Sequence, residues 1–299
     1  MRLRVLGSAA GGGFPQWNCG CSNCRAVRAG RPGVRARTQD SLAYSLTGDA
    51  WHLVNASPDV LQQIAQTPEL HPQGLRSSPI RSIALTNGDL DHVLGLFSLR
   101  EAWPLVVYAT AAVWQGLEGR NAIVRTLRRF PEQLTWRQLV LHCPVEVEPG
   151  LTLEARPARG KLPVHLVGLT TESPEDNIAL WIRDSRASTC AVIAAASSSA
   201  DGWDEAFAGA DCVFFDGTFF SSDELVTQGL SFARAKDMAH VPIGGEEGSL
   251  ARLAGAPTRR KVYTHINNSN PILVEGSPEQ RAVQAAGWEI AYDGMEVSL

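Results

Sequence analysis

Asp89, Asp91 and His92 crowd into the stretch TNGDLDHVLGL, Thr86 to Leu96, directly after the apolar run IRSIAL. Carboxylate and imidazole side chains at the end of a strand are donors suited to Mn²⁺, Fe²⁺ or Zn²⁺. The same residues also suit a helix start, with Asp91 capping a helix that opens at His92 and Asp89 favouring its dipole. Two further apolar runs end in ligand types: DCVFFD closes on Asp216 and KVYTHI on His265. Each has a local alternative, an Asp-Gly turn for Asp216 and a histidine bonded to backbone for His265. His240, in DMAHVPIGG, stands in a loop before a helix and reads as an exposed loop histidine or an acid–base group. Taken together, three strands ending in Asp91–His92, Asp216 and His265 would converge if they leave the same end of a pair of packed sheets.

Cys19, Cys21 and Cys24 form C-x-C-x-x-C. Three soft thiolates at this spacing wrap one tetrahedral Zn²⁺, and such thiolate-rich sites are closed and structural. The alternative is three reduced thiols at a helix start. Asn268, His265 and His52 are candidates for the fourth ligand. Cys143, Cys190 and Cys212 read as buried apolar fillers. The Gly-rich stretch GSAAGGGFP lacks the lysine and the register of a nucleotide loop. It reads better as a turn that brings backbone close to the active site.

The elements that must position these residues are short strands interleaved with helices. RLRVLGSA, DSLAYSL, WHLVNAS, IRSIALT, LVVYAT, LVLH, LTLEARP, VHLVGLT, IALWIRD, TCAVIAAA, DCVFFDG and KVYTHI read as strands, with EIAYDG and MEVSL closing the chain. SPDVLQQIAQ reads as a helix with Ser57 as N-cap and Pro58 at its first position. DHVLGLFSLREA, TAAVWQGL, NAIVRTLRRF, WDEAFAGA and GEEGSLARLAG read as helices, and SPEQRAVQAAG as one opened by a Ser-x-x-Gln capping box. RTLRRF with TWR gives a basic patch of the kind found on solvated helix faces. This order implies two sheets packed face to face with helices outside, a single domain over residues 1–299 whose halves meet between 148 and 174.

The 299 residues are 44% hydrophobic and 19% charged, ordinary globular composition rather than disorder. A net charge of −4 argues against nucleic acid or an anionic membrane as partner. No run approaches the ~20 apolar residues of a membrane span. The opening MRLRVLGSAAGGGFPQWN lacks a signal-peptide core, so a cytoplasmic location is expected.

The chain order of the ligand types resembles the metallo-β-lactamase superfamily, whose first cluster is H-x-H-x-D-H, followed by a His, an Asp and a final His. TNGDLDH keeps the last Asp-His pair at Asp91 and His92 and carries Asn87 and Asp89 where the first two histidines would stand. His165, in PVHLVG, is the one candidate for the intermediate His. VLGSAAGGGFPQWNCGCSNC, NASPD, DHVLGLFSLRE, DGTFF, MAHVPIGG and HINNSNPIL together resemble the coenzyme PQQ synthesis protein B family over nearly the whole chain. The resemblance implies the αββα metallo-β-lactamase fold and a role in biosynthesis of pyrroloquinoline quinone. It implies a structural zinc at Cys19, Cys21 and Cys24, with Asn268 as a further candidate. It also implies iron-dependent hydroxylation of the tyrosine part of a cross-linked Glu–Tyr precursor. On that reading Asp91, His92, Asp216 and His265 hold Fe²⁺, His240 is the acid–base group, and Asp89 assists. The first-row binding order means Zn²⁺, Mn²⁺ or Cu²⁺ would also occupy the site in isolated protein. Two other functions stay open: a carrier that helps move the quinone or its precursor to the periplasm, and a metal-dependent hydrolase of the superfamily. Other proteins of the pathway and a second copy of the chain are expected partners.

Overall fold

In the computed structural model, described for residues 1–119, 122–130 and 132–299, alternating apolar runs form strands much where the sequence places them. Among the described residues, the first half supplies β1 (Arg2–Gly7), β2 (Ser41–Ser45), β3 (Trp51–Val54), β4 (Ile80–Ala84), β5 (Leu105–Ala109) and β6 (Leu134–Gln138). The second supplies β7 (Val145–Glu148), β8 (Leu151–Pro157), β9 (Ile178–Asp184), β10 (Thr189–Ala194), β11 (Cys212–Asp216), β12 (Arg260–Thr264), β13 (Trp288–Ile290) and β14 (Glu296–Ser298). They make two seven-stranded mixed sheets, ordered β14-β1-β2-β3-β4-β5-β6 and β13-β12-β11-β10-β9-β8-β7. The chain changes sheet between Gln138 and Val145, ahead of the 148–174 segment expected from sequence.

Three apolar layers follow from these sheets. Leu3, Val54 and Ala84 of the first sheet pack against Leu180, Phe214 and Val262 of the second. Each outer face is covered by helices, with Val60, Val93 and Trp114 over the first sheet and Trp203, Phe207 and Val283 over the second. This is the αββα sandwich expected from the sequence.

Several local expectations differ. VHLVGLT is not a strand: Val164–Leu166 is a single 3₁₀ turn inside the β8–β9 connection. Pro163 precedes it and Gly168 follows with φ +76°, so neither end supports a ladder. The expected strand LVLH, residues 139–142, begins only after the observed one ends, because the paired residues are Leu134–Gln138. That places TWR on an edge strand rather than a helix face. Ser57 and Pro58 do not open a helix. The helix is Val60–Ala65, and the Ser57 hydroxyl instead bonds the Gln63 side chain at 3.1 Å. DHVLGLFSLREA breaks into Leu90–Val93 and Gly95–Ser98; Asp89 stands at the N-cap position of the first without a side-chain capping bond, and Asp91 lies inside its first turn rather than capping it. Gly95 sits where a Cβ would lie 2.2 Å from the Ser57 carbonyl oxygen, so only glycine fits. Of the expected helix NAIVRTLRRF, Ile123–Leu127 is helical and Asn121 lies outside the described residues. Ser277 caps Pro278–Ala285 by accepting from the Gln280 amide, but the Gln280 side chain reaches back to Gly276 rather than to Ser277. Cys190 and Cys212 are buried as expected, whereas Cys143 is exposed.

Candidate metal centre

The polar residues at the carboxyl ends of β4, β11 and β12 meet at one edge of the sandwich. β11 and β12 are parallel neighbours, with Asp216 opposite Thr264, so Asp216 and His265 emerge side by side from the second sheet. Asp91 and His92 arrive from the first sheet, on the turn after β4. The His265 Nε2 lies 3.3 Å and the His92 Nε2 3.8 Å from the Asp91 Oδ2. The His92 and His265 rings stand edge to face at 5.3 Å. Asp91, His92 and His265 therefore form one group with metal-ligand spacing, and Asp216, His240 and His265 form a second that shares His265.

Hydrogen bonds fix which nitrogen each histidine presents. Thr86 Oγ1 donates to Asn55 Oδ1 at 3.0 Å, so it accepts from His92 Nδ1–H at 3.2 Å. His92 Nε2 is then left facing Asp91, buried and with no hydrogen-bond partner among the described residues. Such an atom costs stability unless a cation or donor meets it. Thr218 plays the same part for His265. Its hydroxyl, 2.7 Å from Asp216 Oδ1, also lies 2.9 Å from His265 Nδ1 and turns His265 Nε2 toward Asp91. Burial alone would raise the Asp91 carboxyl. The adjacent His92 and the hydrogen bond from His265 outweigh it and hold Asp91 well below the usual carboxylate range. Burial disfavours the charged form of His265, but Asp91 reverses this and lifts the imidazole to about 9. An Asp⁻ facing two imidazoles in a desolvated pocket is a donor set that fits a divalent cation.

Asp216 is fully buried and both its oxygens are in use. Oδ1 accepts from the Thr218 amide and hydroxyl; Oδ2 accepts from the Ser197 amide at 2.9 Å and meets His240 Nδ1 at 2.7 Å. The carboxylate thus holds the His240 ring, leaving Nε2 as the free nitrogen of a residue that lines the cavity. Asp89 also lines the cavity, and its carboxylate has no hydrogen-bond partner among the described residues. Asn87, standing where a superfamily histidine would, donates to Asn177 Oδ1 at 3.1 Å and accepts from the Asp89 amide at 3.0 Å. Asn177 in turn donates to the Ala158 and Ala196 carbonyls, so this pair ties the β4 turn to the second sheet. His165 lies on the 3₁₀ turn and is not among the cavity residues.

The cavity is about 250 Å³. Leu90, Val164 and Met238 give it an apolar side, and Lys161 is the one lysine or arginine among its described lining residues. Gly11 forms part of the wall, at a point where a Cβ would lie 3.2 Å from the Asp91 carboxylate. The sequence singled out neither Lys161 nor the threonines that set the histidine tautomers.

Asn268 closes the cysteine cluster. Its terminal amide lies 3.1, 3.6 and 3.4 Å from the sulfurs of Cys19, Cys21 and Cys24. Burial, with the Cys21 and Cys19 sulfurs beside it, pushes the Cys24 thiol up to about 12. Three crowded sulfurs cannot all ionise without a cation among them, so the cluster fits zinc. His52 is buried on β3 against Ser82 and His265 belongs to the other group, so neither is the fourth ligand.

Residues 50–266 match the β-lactamase superfamily domain, and the chain belongs to that superfamily. A diphosphatase of the PhnP family shares the fold at TM-score 0.68 and 19% identity over 100% of this chain and 97% of that one. Proteins named coenzyme PQQ synthesis protein B from Methylobacterium radiotolerans and Ruegeria pomeroyi are 42% and 41% identical, each over the full length of both chains. The crystal structure of Zn²⁺-bound PqqB from Methylobacterium extorquens superposes at TM-score 0.94, with 38% identity and both chains fully covered. The chain is a member of the coenzyme PQQ synthesis protein B family. No helix among the described residues is long and apolar enough to cross a membrane.

Proposed function

We propose that this protein acts in coenzyme PQQ synthesis as a single-metal hydroxylase of a small amino-acid-derived precursor, the tyrosine part of a cross-linked Glu–Tyr compound. The observation that carries the reading is the buried His92 Nε2, with no hydrogen-bond partner among the described residues, beside Asp91 and His265. Two imidazoles and one carboxylate are the ligand set of non-heme iron oxygenases, and iron(II) bound there supplies dioxygen chemistry with positions open to substrate. Leu90, Val164 and Met238 pack the aromatic ring, and Lys161 meets a substrate carboxylate at the rim. His240, oriented by Asp216, exchanges a proton with the phenol. Asp89 orients polar groups of the substrate. Hydroxylation would place one atom of O₂ in a ring C–H bond and release the other as water, with two electrons and two protons supplied by a small-molecule reductant.

The hydrolase reading needs a second metal beside the first. It is disfavoured by Asn87, whose amide is committed to Asn177 and to the Asp89 backbone. The test is anaerobic Fe²⁺ loading of the full-length protein, then O₂, ascorbate and the cross-linked precursor. A product one oxygen atom heavier, lost in His92→Ala, is expected. Ester hydrolysis with two metals bound outside the cysteines would overturn the reading in favour of a hydrolase. Quinone binding that is tight and indifferent to metal, without turnover, would favour a carrier.

A further inference from the structure

The two metal-ligand clusters share one short piece of chain. His265 belongs to the candidate centre and Asn268 caps the three cysteines, only three residues on. The intervening chain is neither helix nor strand, and His265 itself adopts φ +56°, in the left-handed region. A non-glycine residue held there depends on its surroundings to stay.

Those surroundings come from two sides. On the cysteine side, Asn23 lies between Cys21 and Cys24 on the Ser22–Arg28 helix and donates to the Asn268 and Asn270 carbonyls at 3.1 and 3.0 Å. On the other side, the Asn270 amide donates to the Gly217 and Thr218 carbonyls at 2.9 and 3.2 Å, and the Asn267 backbone amide donates to Thr218 at 3.0 Å. Thr218 is the residue whose hydroxyl orients His265 and meets Asp216. A continuous set of buried hydrogen bonds therefore runs from the cysteines through Asn268, Asn23 and Asn270 to the threonine behind the histidine.

We infer that the cysteine site positions His265 for the centre, with Asn268 and Asn23 as the positioning residues that link the two sites. The inference rests on the reading of Asp91, His92 and His265 as a metal centre. Zinc on the three sulfurs fixes Asn268, Asn268 fixes the middle of the 265–270 segment that begins at His265, and the centre binds its own metal more tightly as a result. Loss of outer contacts that orient a ligand typically weakens metal binding by about 10–100-fold.

Cobalt(II) titration of the full-length protein tests this without a turnover assay, because thiolate-bound cobalt absorbs in the near ultraviolet and the nitrogen–oxygen centre does not. Asn23→Ala leaves every sulfur and the Asn268 side chain in place. It is expected to keep the thiolate band yet to lower cobalt affinity at the second site on the order of 10-fold, with Asn268→Ala lower still. Wild-type protein treated with a mercurial that displaces only the cysteine-bound metal should show the same loss and needs no substitution. Affinity at the second site within twofold of untreated wild type in all three samples overturns the inference while leaving the metal reading intact. Absence of any cobalt outside the cysteines in wild type overturns the metal reading and the inference with it.

Discussion

At the scale of single residues, the site works by assigning lone pairs. Thr86 and Thr218 each take a histidine Nδ1–H and leave Nε2 to face Asp91. Asp216 spends its oxygens on Ser197, Thr218 and His240, so on the proposed reading it orients His240 rather than holding the metal. Asp216→Asn should therefore keep one metal at the centre by elemental analysis yet lower kcat by about 10–100-fold. Loss of the metal itself would instead make Asp216 a ligand. Lys161→Ala removes a cationic side chain from the cavity lining. A charge-assisted hydrogen bond contributes roughly 1.5–3 kcal/mol, so KM for the carboxylate-bearing precursor should rise at least about tenfold with kcat little changed. The ligand-type residues were legible in the sequence because aspartate and histidine stand out at the end of an apolar run. The threonines were not, since a hydroxyl next to a histidine in space leaves no mark in local spacing. Asn87 was legible only as an absence of histidine, and its tie to Asn177, ninety positions away, belongs to the fold.

At the scale of elements, alternating apolar residues made most strands readable. The misses share a cause: the 3₁₀ turn at Val164–Leu166 and the edge strand Leu134–Gln138 are set by neighbours rather than by composition. Edge position leaves β6 half-exposed, so its pattern resembles that of a solvated face. β3 carries a testable consequence of burial. His52, packed against Ser82 and Tyr44, is pulled from 6.5 to about 4 by burial, with Arg81 adding to the shift. The unfolded chain thus takes up a proton between those values that the folded protein refuses. This contribution to stability is complete above pH ~6.5 and declines as pH falls toward 4. Thermal melts from pH 7 to 4.5 should show a steeper fall in Tm for wild type than for His52→Gln, and parallel curves would refute it.

At the scale of the whole molecule, the centre is assembled across the interface of two sheets. β4 of one brings Asp91 and His92, and β12 of the other brings His265. Sheet order was not legible, because nothing local tells β14 to cross back and pair with β1. A metal that bridges both sheets binds only the folded state. At one hundred times its Kd it should stabilise the protein by about 2.7 kcal/mol, a shift readable as a higher Tm and missing in His265→Ala. The Asn87–Asn177 bond crosses the same interface and has a consequence for redesign of the site. Asn87→His would add an imidazole at the cavity and, in the same step, remove the amide that donates to Asn177, leaving only backbone pairing between the β4 turn and the β8–β9 connection. A ligand added at this position therefore needs a compensating change at Asn177, so any redesign from one metal to two runs through the joint that closes the sandwich.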